Sequence, residues 1–160
     1  MYQILQLQWK KIPLHYQGDH EVKIYAGIKK NGIGADRKKY DFYTYGQIIR
    51  NKMPDGLSNF YILHEGMLAA LDGELFEEDY DDIEEEKFSK NASKGWFGIG
   101  DKYWISSIIP PRNINFKTTF DYKKKFRANY IATQPITLNG NSSIEEEMQI
   151  IVAAKRVDVV

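Results

Sequence analysis

Residues 94–111 read KGWFGIGDKYWISSIIPP, and no other stretch of the chain restricts its fold as much. Gly95, Gly98 and Gly100 leave the backbone free around the bulky Trp96 and Phe97. Asp101 and Lys102 make a short polar break. Residues 103–109 then form an almost unbroken aromatic and aliphatic run, closed by Pro110 and Pro111, which cannot continue a central strand. Side chains alternate along a strand, so Tyr103, Ile105 and Ile109 face one way and Trp104 and Ile108 the other. Large apolar groups on both faces predict a strand covered from above and below. Trp104 is then a core residue, and its truncation to alanine is expected to cost ~3–5 kcal/mol. The run carries no metal-ligand set and no phosphate loop, so it reads as scaffold.

The same alternation recurs along the chain. Leu5, Leu7 and Trp9 alternate with Gln6 and Gln8 in a strand ending near Pro13, and Val22, Ile24, Ala26 and Ile28 mark a second, followed by an Asn31-Gly32 turn. Strand character returns over residues 40–50 and 60–65, with a Pro54-Asp55-Gly56 turn between them. Met67 to Leu71 leads to an Asp72-Gly73 hairpin turn with Leu75 and Phe76 on its far side. Phe116, Thr118 and Phe120 alternate towards a Lys123-Lys124-Lys125 tip, and Phe126, Ala128, Tyr130 and Ala132 alternate back, which predicts a hairpin. Residues 148–154 supply a last long strand. No segment has a convincing helical period. The 11 Tyr, 8 Phe and 3 Trp strengthen the case for an all-β, mainly antiparallel fold, because aromatic side chains pack well on pleated surfaces. A length of 160 residues suits a single domain, or a fragment of one, with a real core.

Composition removes several functions. Lys plus Arg and Asp plus Glu both number 22, so net charge offers no case for nucleic acid or an anionic membrane surface. Cysteine is absent, which excludes disulfide scaffolds, thiol catalysis and Cys-ligated zinc. No run approaches the ~18–20 apolar residues of a membrane span, and residues 1–9 lack the basic-then-apolar order of a signal peptide.

Few residues remain as candidates for chemistry. His64-Glu65 is the one adjacent acid–base pair, and sugar-epimerising enzymes on sandwich folds use these two residue types. Neighbours on a strand point to opposite faces, however, so a hairpin-closing role is expected instead. His15 and His20 lack a third ligand nearby, and Gly32-Ile33-Gly34 lacks the rest of a dinucleotide fingerprint. Residues 77–86 (EEDYDDIEEE) lack the spacing of a calcium loop and read as a solvated loop or frayed helical turn. The Lys123–Lys125 tip has its aromatics in phase with a buried face, unlike a nucleic-acid grip. No catalytic, cofactor-binding or metal-binding residue is assigned, and no cofactor is expected.

Three groups of residues, in order, carry a family resemblance. Tyr45-Gly46 with Ile48, Ile49 and Arg50, then residues 61–66 (YILHEG), Asp72-Gly73 and Leu75 form the first. Trp96, Gly98, residues 101–104 (DKYW) and Ile108-Ile109-Pro110 form the second. Residues 118–122, 128–130 and 153–158 (AAKRVD) complete it. Together they resemble the later part of the large periplasmic domain of the YidC/OxaA membrane protein insertase family, over residues 40–160, with residues 1–39 left as an unmatched N-terminal segment. The resemblance implies a partial β-sandwich of the β-supersandwich, galactose-mutarotase-like kind on the periplasmic face of the inner membrane. It implies a non-enzymatic interaction role beside Sec translocon subunits, SecF in particular. Client membrane proteins would be handled by transmembrane parts that these residues do not include. The other reading is a carbohydrate-binding or sugar-processing sandwich, which would need an aromatic cleft with paired carboxylates.

Overall fold

The computed structural model describes residues 10–14, 20–31, 39–51, 64–102, 104–139 and 146–154. Its strands are β1 (Lys10–Leu14), β2 (His20–Asn31), β3 (Lys39–Arg50), β4 (Gly66–Leu71), β5 (Glu74–Asp79), β6 (Phe88–Ala92), β7 (Gly95–Gly100), β8 (Trp104–Ile109), β9 (Phe116–Lys123), β10 (Lys125–Ala132), β11 (Ile136–Asn139) and β12 (Gln149–Ala154). One short helix, α1 (Tyr80–Glu85), joins β5 to β6. The strands make two antiparallel sheets. The first runs β1-β2-β3-β10-β9-β6, with β11 pairing the start of β3; the second runs β12-β8-β7-β4-β5. The all-β, antiparallel architecture expected from the alternation is what the chain forms.

The alternating apolar residues explain why the sheets meet. Phe116, Thr118 and Phe120 of β9 lie in register with Ala132, Tyr130 and Ala128 of β10, and all six are buried. Met67, Ala69 and Leu71 of β4, Phe97 and Ile99 of β7 and Ile108 of β8 are buried in the same cluster from the second sheet. Fully burying each large apolar side chain contributes about 1.5–3 kcal/mol, so this shared interface is the main stabilising feature. Two glycines have steric reasons to be glycine. A Cβ on Gly46 would lie 2.6 Å from the Tyr130 ring that crosses it, and a Cβ on Gly95, at φ 132°, would lie 2.0 Å from the Ala70 carbonyl oxygen.

Residues 94–111 split into two strands of one sheet, β7 and β8, with Asp101 and Lys102 between them. Trp104 opens β8 half-buried, not enclosed as expected, because on the β12 side the inner face of the second sheet is only partly covered. Its truncation should therefore cost well below the ~3–5 kcal/mol of a fully buried ring. The expected strand over residues 60–65 also needs revision: His64 and Glu65 precede β4, which begins at Gly66, and residues 60–63 lie outside the described residues. The acidic run is not wholly solvated. Its first residues finish β5, and in α1 Tyr80 and Ile83 are buried while Asp81, Asp82, Glu84 and Glu85 are exposed.

Candidate functional site

The densest polar group is internal. Arg50 ends β3 in the first sheet, and Asp101 follows β7 in the second. Arg50 Nε and Nη2 donate to the two Asp101 carboxylate oxygens, each at 3.0 Å, and Arg50 is only 2% exposed. Tyr80, at the start of α1, donates its hydroxyl to Asp101 Oδ1 at 2.7 Å. The Arg50 guanidinium carbon stands 5.8 Å from the Tyr80 ring centre, and that ring meets Phe126 edge-on at 4.7 Å. Burial works against the Arg50 cation, but the hydrogen bond and charge of Asp101 outweigh it and raise its pKa. Burial first, then the Asp101 charge, pushes the Tyr80 hydroxyl well above the ordinary tyrosine value, so Tyr80 stays a donor. These three side chains engage one another and bind two sheets and a helix together. They form a rivet between the two sheets.

A second group is presented outward. Asp72 (φ 51°) and Gly73 (φ 87°) form the β4–β5 turn, the left-handed pair that an Asp-Gly hairpin supplies. The Asp72 carboxylate accepts hydrogen bonds from Ser93 Oγ at 2.8 Å, Ser93 N–H at 3.1 Å and Lys94 N–H at 3.1 Å. The Asp72 N–H in turn donates to the Lys94 carbonyl at 3.0 Å. The β4–β5 turn is thus clamped to the β6–β7 turn, and these bonds, the Ser93 hydroxyl's foremost, hold the Asp72 carboxyl below the usual carboxylate range.

The clamp gives the β5 strand a firm base. On its inner side Phe76 packs against Phe88 at 5.4 Å, and Phe88 stacks on Phe120 at 5.1 Å. Lys90 Nζ lies 3.8 Å from Glu74 and 5.0 Å from the centre of the Phe76 ring. On the outer side Leu75 is 61% exposed. It stands in register with Ala70, which pairs with Trp96 on its other side, so an apolar row crosses three strands at this end. Glu77 follows Leu75 on the same face, whereas Glu74 and Glu78 fall on the Phe76 face, where Glu78, Asp82 and Glu86 line a shallow depression beside Phe88. Burial, then the charges of Asp82, Asp79 and Glu86, raises the Glu78 pKa. The outward surface is an apolar spot on a clamped turn, with Glu77 beside it.

The chemistry candidates fall apart spatially or lie elsewhere. His64 is half-buried, with Nδ1 3.3 Å from Asp79 and Nε2 3.1 Å from the Met67 carbonyl oxygen, so it ties the entrance of β4 to the end of β5. His20 opens β2, while His15 and residues 32–34 lie outside the described residues. Lys123, Lys124 and Lys125 are exposed at the β9–β10 tip. Among the described residues no group of three or more His, Asp or Glu is arranged to hold a metal ion, and no helix is long and apolar enough to cross a membrane. Sequence reasoning missed the Arg50–Tyr80–Asp101 rivet. Its members are 51 and 21 residues apart, and the only local signal was a tyrosine inside an acidic run.

An antiparallel two-sheet β domain with a riveted interior and a clamped, outward-facing hairpin is the class that this geometry defines. The family model of the YidC periplasmic domain matches residues 20–160, starting ahead of residue 40, where the sequence resemblance begins. The membrane protein insertase YidC of Pelagibacter ubique is 59% identical over 133 residues, covering 83% of this chain and 24% of the relative. The insertases YidC of Agrobacterium fabrum (35% identical over 125 residues, 74% of this chain and 21% of the relative) and Rickettsia massiliae (37% over 140 residues, 82% and 24%) are also similar. The chain belongs to the YidC periplasmic domain family. It spans about a quarter of the length of these curated relatives.

Proposed function

We propose that this domain is a non-enzymatic docking module of a membrane protein insertase, working on the periplasmic face of the inner membrane. The observation that carries the reading is the Asp72-clamped hairpin, which holds Leu75 outward on a base too rigid to fold it back into the core. An exposed apolar anchor on a pre-ordered support loses little conformational entropy on binding, which favours recognition. Glu77, on the same face as Leu75, suits a partner whose apolar contact residue has a Lys or Arg beside it. Sec translocon subunits, SecF in particular, are the proposed partners, and client membrane proteins are handled by parts of the insertase outside these residues. The expected contact is modest in area and transient. The polar groups best suited to chemistry support a scaffold role, since Arg50, Asp101 and Tyr80 are engaged with one another and His64 is held between Asp79 and the Met67 carbonyl.

Photo-crosslinkers at Glu74, Leu75 and Glu77 in the full-length, membrane-anchored protein test this. Adducts with Sec subunits are expected at these positions and not at Lys124. Equal capture at Lys124, or none at Leu75, overturns the placement. The loop that carries the Pro54-Asp55-Gly56 turn lies outside the described residues.

A further inference from the structure

The β9–β10 tip concentrates positive charge that the balanced composition of the chain hides. Lys123, Lys124 and Lys125 are all exposed, and none makes an ion pair among the described residues. Lys123 and Lys125 stand opposite each other in register, an arrangement of like charges that repels. Lys124 turns the chain at φ 60°, where glycine or asparagine fits with less strain. The acid closest in sequence is already engaged, since Asp121 accepts from Arg127 Nε at 2.7 Å. Packing explains none of these choices, and a local rule broken without structural gain points to function.

Beside the lysines stands an aromatic side chain that the core leaves out. Tyr122 shares the inner face of β9 with the buried Phe116, Thr118 and Phe120, yet it is 39% exposed. Its ring leans on buried Phe126 at 4.7 Å, and Phe126 pairs with Arg50 at the base of the tip. The tip is therefore a supported projection. Lysine is a point charge on a flexible stem, which suits a diffuse anionic surface, whereas arginine is the residue of fixed carboxylate pairing. A tyrosine ring with lysines beside it matches a water–lipid interface, the ring at headgroup level and the ammonium groups among phosphates.

We infer that the β9–β10 tip rests on the anionic phospholipid surface of the inner membrane. Each lysine near such a surface raises partitioning about 5-fold, so three give roughly 100-fold. That is weak for a free domain, but a tethered one meets the bilayer at high effective concentration. The exposed acids of α1, whose Tyr80 meets Phe126, are repelled by the same surface and confine the contact to the tip. The contact also orients the domain. Arg50 and Asp101 lie at the tip end with the Gly66–Gly100 pair, while Leu71 pairs with Gly95 at the other end. The Leu75 hairpin is thus turned away from the bilayer. The tip contact depends on the proposed place at the inner membrane, not on whether Leu75 binds Sec.

The test uses the full-length protein in nanodiscs of phosphatidylcholine, alone or mixed with phosphatidylglycerol. A photo-crosslinking p-benzoylphenylalanine replaces Tyr122, and lipid adducts are read by mass spectrometry. They are expected at least ~10-fold more often in the mixed discs. About 1 M NaCl, where the screening length falls to about 3 Å, should remove the difference, and so should Lys123→Ser combined with Lys125→Ser. The same probe at Leu75 should give no lipid adducts. Equal yields with and without phosphatidylglycerol overturn the inference, as do no lipid adducts at position 122 or a yield indifferent to salt. Lipid adducts at Leu75 overturn the orientation. In native membranes, capture of another protein in place of lipid would assign the tip to an acidic partner instead. Sec adducts from Leu75 without lipid adducts from position 122 would sink the tip contact and leave the docking surface standing.

Discussion

Arg50 and Asp101 meet edge to edge through two 3.0 Å hydrogen bonds that tie the end of β3 in one sheet to the end of β7 in the other. Removing one partner of a buried ion pair strands the other charge, which costs about 3–5 kcal/mol. Asp101→Asn keeps the shape and removes the charge, so it should destabilise by about that much in chemical denaturation. Arg50→Met combined with Asp101→Leu should cost less than the two single changes added together, because neither charge is then left alone. A loss below ~1 kcal/mol for Asp101→Asn would mean that water reaches Arg50 and the rivet is not buried.

The buried tyrosines set an alkaline limit. Burial, with the charge of Glu146 adding, pushes the Tyr130 hydroxyl up from 10.0 to about 12. Because the folded pKa is raised, the unfolded chain loses its proton first. The stabilising contribution is fully present below about pH 10 and is lost as pH rises towards 12. Tyr80 acts in the same direction. Unfolding followed by circular dichroism should therefore begin in this window, together with tyrosinate absorbance. Tyr130→Phe should flatten that part of the pH profile; an unchanged alkaline midpoint in both Tyr130→Phe and Tyr80→Phe would contradict the assignment.

Much of the fold was legible because its strands bury one face or both. Phe116, Thr118 and Phe120 alternate in sequence and are buried together, and the Asp72-Gly73 turn falls where the dipeptide requires it. What was not legible depends on partners distant in sequence. Asp101 reads as a polar break until the fold brings Arg50 to it, and Tyr80 and Ile83 are hidden in composition by the acids around them. Trp104 misleads for the opposite reason. A large apolar residue in a two-faced run reads as core, but Trp104 opens its strand opposite the exposed Ala154, a pairing that local sequence does not encode. For the candidate surface, the turn and Leu75 were readable, while the clamp to Ser93 and Lys94 was not.

Thr118 offers a test inside the core. It is fully buried between Phe116 and Phe120 on β9, and its hydroxyl has no hydrogen-bond partner among the described residues. An unsatisfied buried polar group costs about 1–3 kcal/mol, so Thr118→Val, which keeps the branched shape, should stabilise the domain by about 1 kcal/mol. Thr118→Ser should not, since it keeps the hydroxyl and loses a methyl. A destabilised Thr118→Val variant would show that the hydroxyl has a partner, such as a buried water.

The last prediction separates docking from stability at Leu75. This side chain is mostly exposed, so Leu75→Ser should change stability by no more than ~0.5 kcal/mol. If Leu75 is an anchor of the interface, the same change should weaken binding of the full-length protein to the proposed Sec partner by at least ~10-fold, about 1.4 kcal/mol. Asp72→Ala should act indirectly. It removes the acceptor that holds Ser93 and Lys94, so the amides of those two residues should exchange faster while those of β7 stay protected, and binding should weaken through a looser support. Asp72→Asn is the control, since asparagine tolerates the left-handed backbone of the turn and keeps part of the hydrogen bonding. Lys124→Ala, at the far hairpin tip, should leave binding unaltered. Surface plasmon resonance in detergent, paired with denaturation of each variant, reads both quantities. Unchanged affinity in Leu75→Ser with stability intact would remove the hairpin from the interface.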